Sequence, residues 1–329
     1  MTLNHIKHRP DVKLLLHRIF CTSAAALLSP ASWLSVMRKT ASWSLPFAIA
    51  LHSGTGSAVE LAPEKRIPEH ALIVEHPHEE EVANIRKHHL KRLDERLNTD
   101  PGVLHQTCRY ESEISTSPPK KRVALTFDDG PEPGQTELIL AILKKYDIPA
   151  AFFMIGRKAK QYPELVAKVR SAGHQIIGNH SWDHPNFHEI GVAEQAEEVL
   201  RNEALLAGDL QPKLFRYPYG NSTCETNELV RARGYRIVGW HIDSCDWAFD
   251  KNGTVDVREA ISCGVLAQYH DDYVGHVLSA ARARNGGIIL MHEIHPNTLK
   301  KLEGIVSQMI SDGYVFGTIL DADFQSSLR

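Results

Sequence analysis

Five short apolar runs of β type in this chain each end in a cluster of polar side chains. The run at 123–125 leads to Thr126-Phe127-Asp128-Asp129-Gly130-Pro131, the run at 175–177 to His180-Ser181-Trp182-Asp183-His184, and Leu214-Phe215 to Arg216-Tyr217-Pro218-Tyr219-Gly220. The run at 236–240 leads to Asp243-Ser244-Cys245-Asp246-Trp247, and the run at 287–290 to Met291-His292-Glu293. Scattered surface polarity does not produce that coincidence. In a parallel barrel the loops after the strands open on one face, and that face carries the chemistry. Between the runs the pattern shifts to helical spacing, with helices expected over 135–146, 163–172, 192–207, 225–233, 272–284 and 298–312. Strands are expected over 123–127, 150–155, 175–178, 214–217, 236–242, 287–292 and 314–319. Such alternation predicts a parallel α/β fold. The stretch 250–271 is longer than an ordinary connection and is expected to shape a substrate groove.

The residue types suggest what the face does. Two adjacent carboxylates are costly to hold together unless a cation or a proton compensates them. Side chains alternate along a strand, but at its end both can turn toward one site. One carboxylate would then bind a metal and the other handle a proton. The plainer reading of Asp-Asp-Gly-Pro is a turn. His180 and His184, four apart, would share one face of a helical turn and could share one ion. In a chain with 19 histidines, two solvated imidazoles are the plainer reading of that pair. With Asp129 the pair makes a two-His, one-carboxylate set with open positions, which suits a catalytic metal better than a structural one.

In this order the five clusters resemble the motifs of the polysaccharide deacetylases, the NodB-homology domain of carbohydrate esterase family four. The family patterns T-F-D-D-G, H-[ST]-x-x-H, R-x-P-Y, D-x-x-D-W and L-x-H read here as 126–130, 180–184, 216–219, 243–247 and 290–292. The resemblance covers about 120–320 and implies a distorted, incompletely closed (β/α) barrel of about seven parallel strands. It also implies roles. Asp129, His180 and His184 would hold a divalent metal, zinc first, with cobalt, nickel or manganese as alternatives. Asp128 would be the general base, paired with Arg216, and the Tyr219 backbone N–H would help hold the tetrahedral oxyanion. His292 would be the general acid, oriented by Asp246, and Trp247, Leu290 and Pro218 would line the substrate pocket.

Plainer readings stand beside these: a surface ion pair for Arg216, simple core for Trp247, a loop cap for Asp243. Glu293 and His295 either extend the acid network or are a loop carboxylate and a loop imidazole, with Pro296 ending the strand.

The implied activity is metal-dependent removal of N-acetyl groups from N-acetylglucosamine residues of a peptidoglycan- or chitin-type polysaccharide. The alternatives are an O-acetyl esterase of xylan type, a hydrolase of small non-sugar amides and a catalytically silent carbohydrate-binding homologue. A net charge of −3 leaves no basic footprint for nucleic acid, no phosphate loop occurs, and no stretch is apolar enough for a stable membrane span in the mature chain.

Residues 1–58 read as a leader, with Met37-Arg38-Lys39, an apolar stretch at 43–51 and small residues to Ala58 marking a secretory signal that starts at Met37. Export to the periplasm or beyond follows. Residues 59–120 read as an N-terminal helical extension and linker, amphipathic over 79–97, and 121–329 as the catalytic domain. Beyond the leader lie Cys108, Cys224, Cys245 and Cys263, an even number that permits disulfides in three pairings. One bridge is expected to pin the segment after the fourth cluster over the site.

Overall fold

A computed structural model of the chain describes residues 116–329, together with Glu80, Ala83, Asn84, residues 86–91, Cys108 and Ile114. Residues 1–58, read from the sequence as a leader, and most of residues 59–115 lie outside the described residues. Eight strands make one parallel sheet: β1 (Arg122–Gly130), β2 (Ala150–Met154), β3 (Gln175–Asn179), β4 (Leu214–Phe215), β5 (Arg236–Ile237), β6 (Ile242–Asp243), β7 (Gly287–His292) and β8 (Val315–Phe316). Their order is β5-β4-β3-β2-β1-β7-β6, and β8 pairs with the start of β1. Beyond residue 116 the α-helices are α1 (Gln135–Tyr146), α2 (Gly156–Gln161), α3 (Pro163–Ser171), α4 (Val192–Leu206), α5 (Cys224–Ala232), α6 (Val257–Cys263), α7 (Tyr273–Arg284) and α8 (Pro296–Ser311).

The strand expected over 236–242 is broken, because the sheet curls there. β5 pairs with β4 and β6 with β7, so its two halves sit at opposite edges of the sheet. The chain between them bridges the gap: the Val238 N–H donates to the Phe215 carbonyl and the His241 N–H to the Ile288 carbonyl, each at 2.9 Å. Counted as one stave, the two halves restore the seven-stranded distorted barrel.

β1 shows why the strands read as continuous apolar runs. Val123, Leu125 and Phe127 face the helices, packed with Ile139 and Leu143 of α1 and Leu302 and Val306 of α8. Ala124 faces the interior with Ala151, Phe153, Leu214, Val238 and Ile288, where Phe324 and Leu328 from the C-terminal segment also pack. A parallel sheet is covered on both faces, so neither face can be polar except where the interior opens to the site.

Two short helices were not expected. α6 falls inside the stretch read as a long connection; Asp256 caps it by accepting from the Glu259 N–H at 2.9 Å, and left-handed Gly264 ends it. Seven residues are too few to show a helical period. Disulfides join Cys245 to Cys263 and Cys108 to Cys224. The first ties the end of α6 to the fourth cluster, as one of the three open pairings allows. Cys263→Ser is expected to lower unfolding free energy by about 3 kcal/mol through the lost constraint on the unfolded chain, read by guanidinium titration.

Candidate active site

The end of β1 solves the problem of two neighbouring carboxylates. Its register with β2 slips between Asp128 and Gly130, and Asp129 takes a left-handed φ of 72°. A bulge of this kind re-aims a side chain, so Asp128 and Asp129 both reach the site although they are adjacent in the strand. On the other side β1 pairs with β7 in a register that sets Asp128 opposite His292. The base and acid candidates are thus fixed by one rung of the sheet.

Asp128 is backed by a buried cation. The Arg216 Nη1 donates to Asp128 Oδ1 at 2.7 Å and to Thr126 Oγ1 at 2.8 Å. Its Nε and Nη2 donate to the carbonyls of Val238 and Gly239, each at 3.1 Å, and its guanidinium lies 4.2 Å over the Phe153 ring. At 1% exposure, Arg216 is no surface ion pair. Burial lowers its pKa from the ordinary value, with Asp128 opposing the shift.

His292 has a matching carboxylate. Its Nδ1 lies 2.7 Å from Asp246 Oδ1, and its backbone N–H donates to Asp246 Oδ2 at 2.7 Å. The Thr298 hydroxyl donates to the same Oδ2. Burial alone would lower the imidazole pKa, but Asp246, with Asp129 and Asp128, raises it to about 10. The imidazole is therefore charged at neutral pH, the form a general acid needs. A group raised in this way adds stability that is full below its ordinary 6.5 and is lost as pH climbs through about 10. Asp246→Asn is expected to pull the alkaline limb of a pH–rate profile down from near 10 toward 6.5, while substrate KM changes little.

The remaining set fits a metal. His184 Nε2 and His180 Nε2 lie 3.2 and 3.5 Å from Asp129 Oδ1. Asp129 is fully buried, and neither of its oxygens has a hydrogen-bond partner among the described residues. A buried carboxylate left this way is costly unless a cation completes it. The Arg216 carbonyl, 2.8 Å from His180 Nδ1, can only accept, so that nitrogen carries the hydrogen and Nε2 turns its lone pair to the site. The Tyr219 hydroxyl lies 3.2 Å from His184 Nδ1. Burial pushes His184 down to about 3, which keeps it neutral. Burial opposes the charge on Asp129, but the facing imidazoles of His184 and His180 hold its carboxyl well below the usual range.

The two histidines are not on a helical turn. Residues 180–184 form a bent loop in which Ser181 and His184 have left-handed φ values of 64° and 61°. The Ser181 hydroxyl accepts from the His184 N–H at 3.0 Å and folds the loop back on itself. A four-residue spacing brings two rings together through a tight loop as well as through a helix, and the sequence pattern does not separate these.

The cavity is lined by Asp128, His180, His184, Tyr219, Leu290 and His292 among the expected residues. Tyr217, Trp240, Gly220 and His89 line it as well and were not expected. Pro218 is buried in a short 3₁₀ turn, and Trp247 is buried beside His89. Asp243 is a loop cap, its Oδ1 accepting from the Cys245 N–H at 2.8 Å. Glu293 and His295 are both buried. His295 meets the His292 ring edge-on at 5.2 Å, and burial raises Glu293 to about 8. Pro296 opens α8 rather than merely ending the strand.

Residues 115–238 match the family profile described as polysaccharide deacetylase, which stops short of the fourth and fifth clusters. A peptidoglycan-N-acetylglucosamine deacetylase of Bacillus cereus is 31% identical over 225 residues, covering 67% of this chain and 74% of that protein. The chain belongs to the polysaccharide deacetylase family. Within that family, the peptidoglycan-N-acetylglucosamine deacetylase PgdA of Listeria monocytogenes is 32% identical over 209 residues, 63% of this chain. The chain spans only 40% of the length of that relative. Among solved structures, a peptidoglycan N-acetylglucosamine deacetylase in complex with 4-naphthalen-1-yl-N-oxidanyl-benzamide superposes with a TM-score of 0.54 at 28% identity, covering 69% of this chain and 97% of the other.

Proposed function

We propose that this polysaccharide deacetylase is an exported, metal-dependent amidohydrolase. Its reading as an enzyme that removes N-acetyl groups from N-acetylglucosamine residues of a peptidoglycan- or chitin-type polymer rests on one observation above the others. The unsatisfied Asp129 carboxylate and two imidazole Nε2 atoms converge beside a base–arginine pair and an acid–carboxylate pair, Asp128–Arg216 and His292–Asp246. The named relatives support the substrate class. Two disulfides suit an oxidising compartment such as the periplasm or the cell exterior. No helix among the described residues is long and apolar enough to cross a membrane.

A divalent metal held by Asp129, His180 and His184, zinc first by its preference for imidazole and carboxylate, would polarise the acetyl carbonyl and acidify water. Asp128, oriented by Arg216, takes the proton as water adds to the carbonyl carbon. The Tyr219 backbone N–H is assigned to the oxygen that gains charge. His292, held charged by Asp246, gives its proton to the nitrogen as the carbon–nitrogen bond breaks, so a free amine and acetate leave. An amine is a poor leaving group until protonated, which is why the acid is needed.

The test is acetate release by the full chain, zinc-loaded or chelated, on acetylated chitooligosaccharides, peptidoglycan and acetylxylan. Release from an N-acetyl substrate that chelation abolishes and zinc restores is the expected result. Release from acetylxylan alone would make the protein an O-acetyl esterase. No release with metal bound would overturn this reading in favour of another substrate, such as a small non-sugar amide, or a silent carbohydrate-binding homologue.

A further inference from the structure

A helical segment at 86–91 lies over the site and contributes His89 to the cavity. On the β6 side, Arg86 makes a two-pronged ion pair with Glu259 of α6 and donates to the Ala248 carbonyl at 2.9 Å, next to Trp247. On the β3 side, Lys91 pairs with Glu189, beyond His184. Between these anchors the His89 ring lies flat on the Trp247 indole, with centroids 4.0 Å apart and planes within 8°. It meets Tyr219 edge-on at 5.4 Å and His292 at 6.4 Å. His89 is only 5% exposed. Further on, the Cys108–Cys224 disulfide ties the extension to the start of α5, a few residues past Tyr219, and the Ser222 hydroxyl donates to the Cys108 carbonyl.

A flat ring against an indole face is also how a sugar ring or an acetamido group would sit on Trp247. Asp128, His180, His184 and His292 are all nearly buried. With residues 86–91 in place, His89 occupies the Trp247 face and stands edge-on to His292. The end ion pairs, the ring stack and the His88 ring, 5.0 Å from Tyr219, hold the segment there. Lys91 is half exposed and its pair is therefore weak, while the Arg86 pair, with a buried carboxylate, is the stronger.

We propose that residues 86–91 are a strap that occludes the active site: His89 takes the place of substrate on Trp247, and polymer reaches the acid and base only when the strap lifts. The proposal rests on the deacetylase reading for what the site does, but not for whether it is covered. Its apparent substrate affinity would be reduced by the fraction of molecules in the open state.

The experiment compares the full chain with Arg86→Ala/Lys91→Ala, which removes the two end ion pairs of Arg86 and Lys91, and with His89→Ala, which removes the ring. Oxidative labelling of the Trp247 indole, which lies directly under the His89 ring, by N-bromosuccinimide is followed by peptide mass spectrometry, with the buried Trp182 as internal reference. kcat/KM is measured on N-acetylchitohexaose. Both variants are expected to label Trp247 about tenfold faster at unchanged Trp182 labelling, and to gain about tenfold in kcat/KM. Unchanged Trp247 labelling in Arg86→Ala/Lys91→Ala would overturn the strap. So would faster labelling with a fall in kcat/KM, since the segment would then be a working wall of the cleft. If no protein releases acetate, the deacetylase reading fails, and the labelling rates still decide whether the strap covers the site.

Discussion

Replacing Asp128 by Asn is expected to lower kcat for acetate release by about 10²–10⁴ while zinc stays bound at full stoichiometry. The split follows from the geometry. Asp129, not Asp128, is the carboxylate whose Oδ1 faces both imidazole Nε2 atoms and whose two oxygens lack a hydrogen-bond partner among the described residues. Asp128 instead accepts from Arg216 at 2.7 Å, and its other oxygen lies 3.6 Å from His180 Nε2. Asparagine keeps the size and one acceptor for Arg216 but cannot take a proton from water. Zinc content by mass spectrometry and single-turnover acetate release measure the two halves. Loss of metal together with activity would move Asp128 into the ligand set.

The largest stability effect is expected at Arg216. Arg216→Leu should destabilise the domain by about 3–5 kcal/mol, because it leaves the nearly buried Asp128 without its counter-charge. The guanidinium also satisfies the carbonyls of Val238 and Gly239, which belong to the crossing between β5 and β6. Its loss should therefore loosen the closure of the barrel as well as the base. Adding Asp128→Asn should recover part of the loss, since the charge that Arg216 compensates is then gone. Guanidinium unfolding of the two single variants and the double variant gives the coupling. Strict additivity would mean that Arg216 acts through the carbonyls alone.

The two results would address different levels of one design. The inner face of β1 runs from Ala124 through Thr126 to Asp128. Apolar side chains therefore fill the lower interior, the Arg216–Thr126–Phe153 layer lies above them, and Asp128 and His292 meet at the open end. The candidate site thus stands on a buried polar layer, which stands on packed core.

Much of this was legible in the sequence because its causes are local. α1 spans the expected 135–146, where acidic Glu137 opens the helix, Lys144 and Lys145 close it, and Asp147 turns left-handed at its end. The strand ends were legible because each apolar run stops where the interior opens to polar chemistry. What failed was whatever depended on a partner. The 236–242 run reads as one strand, and only the curl of the sheet sends its halves to β4 and β7. His180 and His184 have a spacing that a helix and a folded loop satisfy equally, and the Ser181–His184 bond decided for the loop.

The sequence alone therefore determined the alternation, the end of the barrel where the polar clusters gather, and the residue types gathered there, since periodicity and side-chain chemistry act over a few residues. Tertiary structure alone decided the bulge that turns Asp129 beside Asp128, the rung that sets Asp128 against His292, and which cysteines pair. It alone also decided that His89, far upstream, lies on Trp247. Each of these needs two segments distant in the chain to meet, and no local pattern records which distant surface a side chain will find.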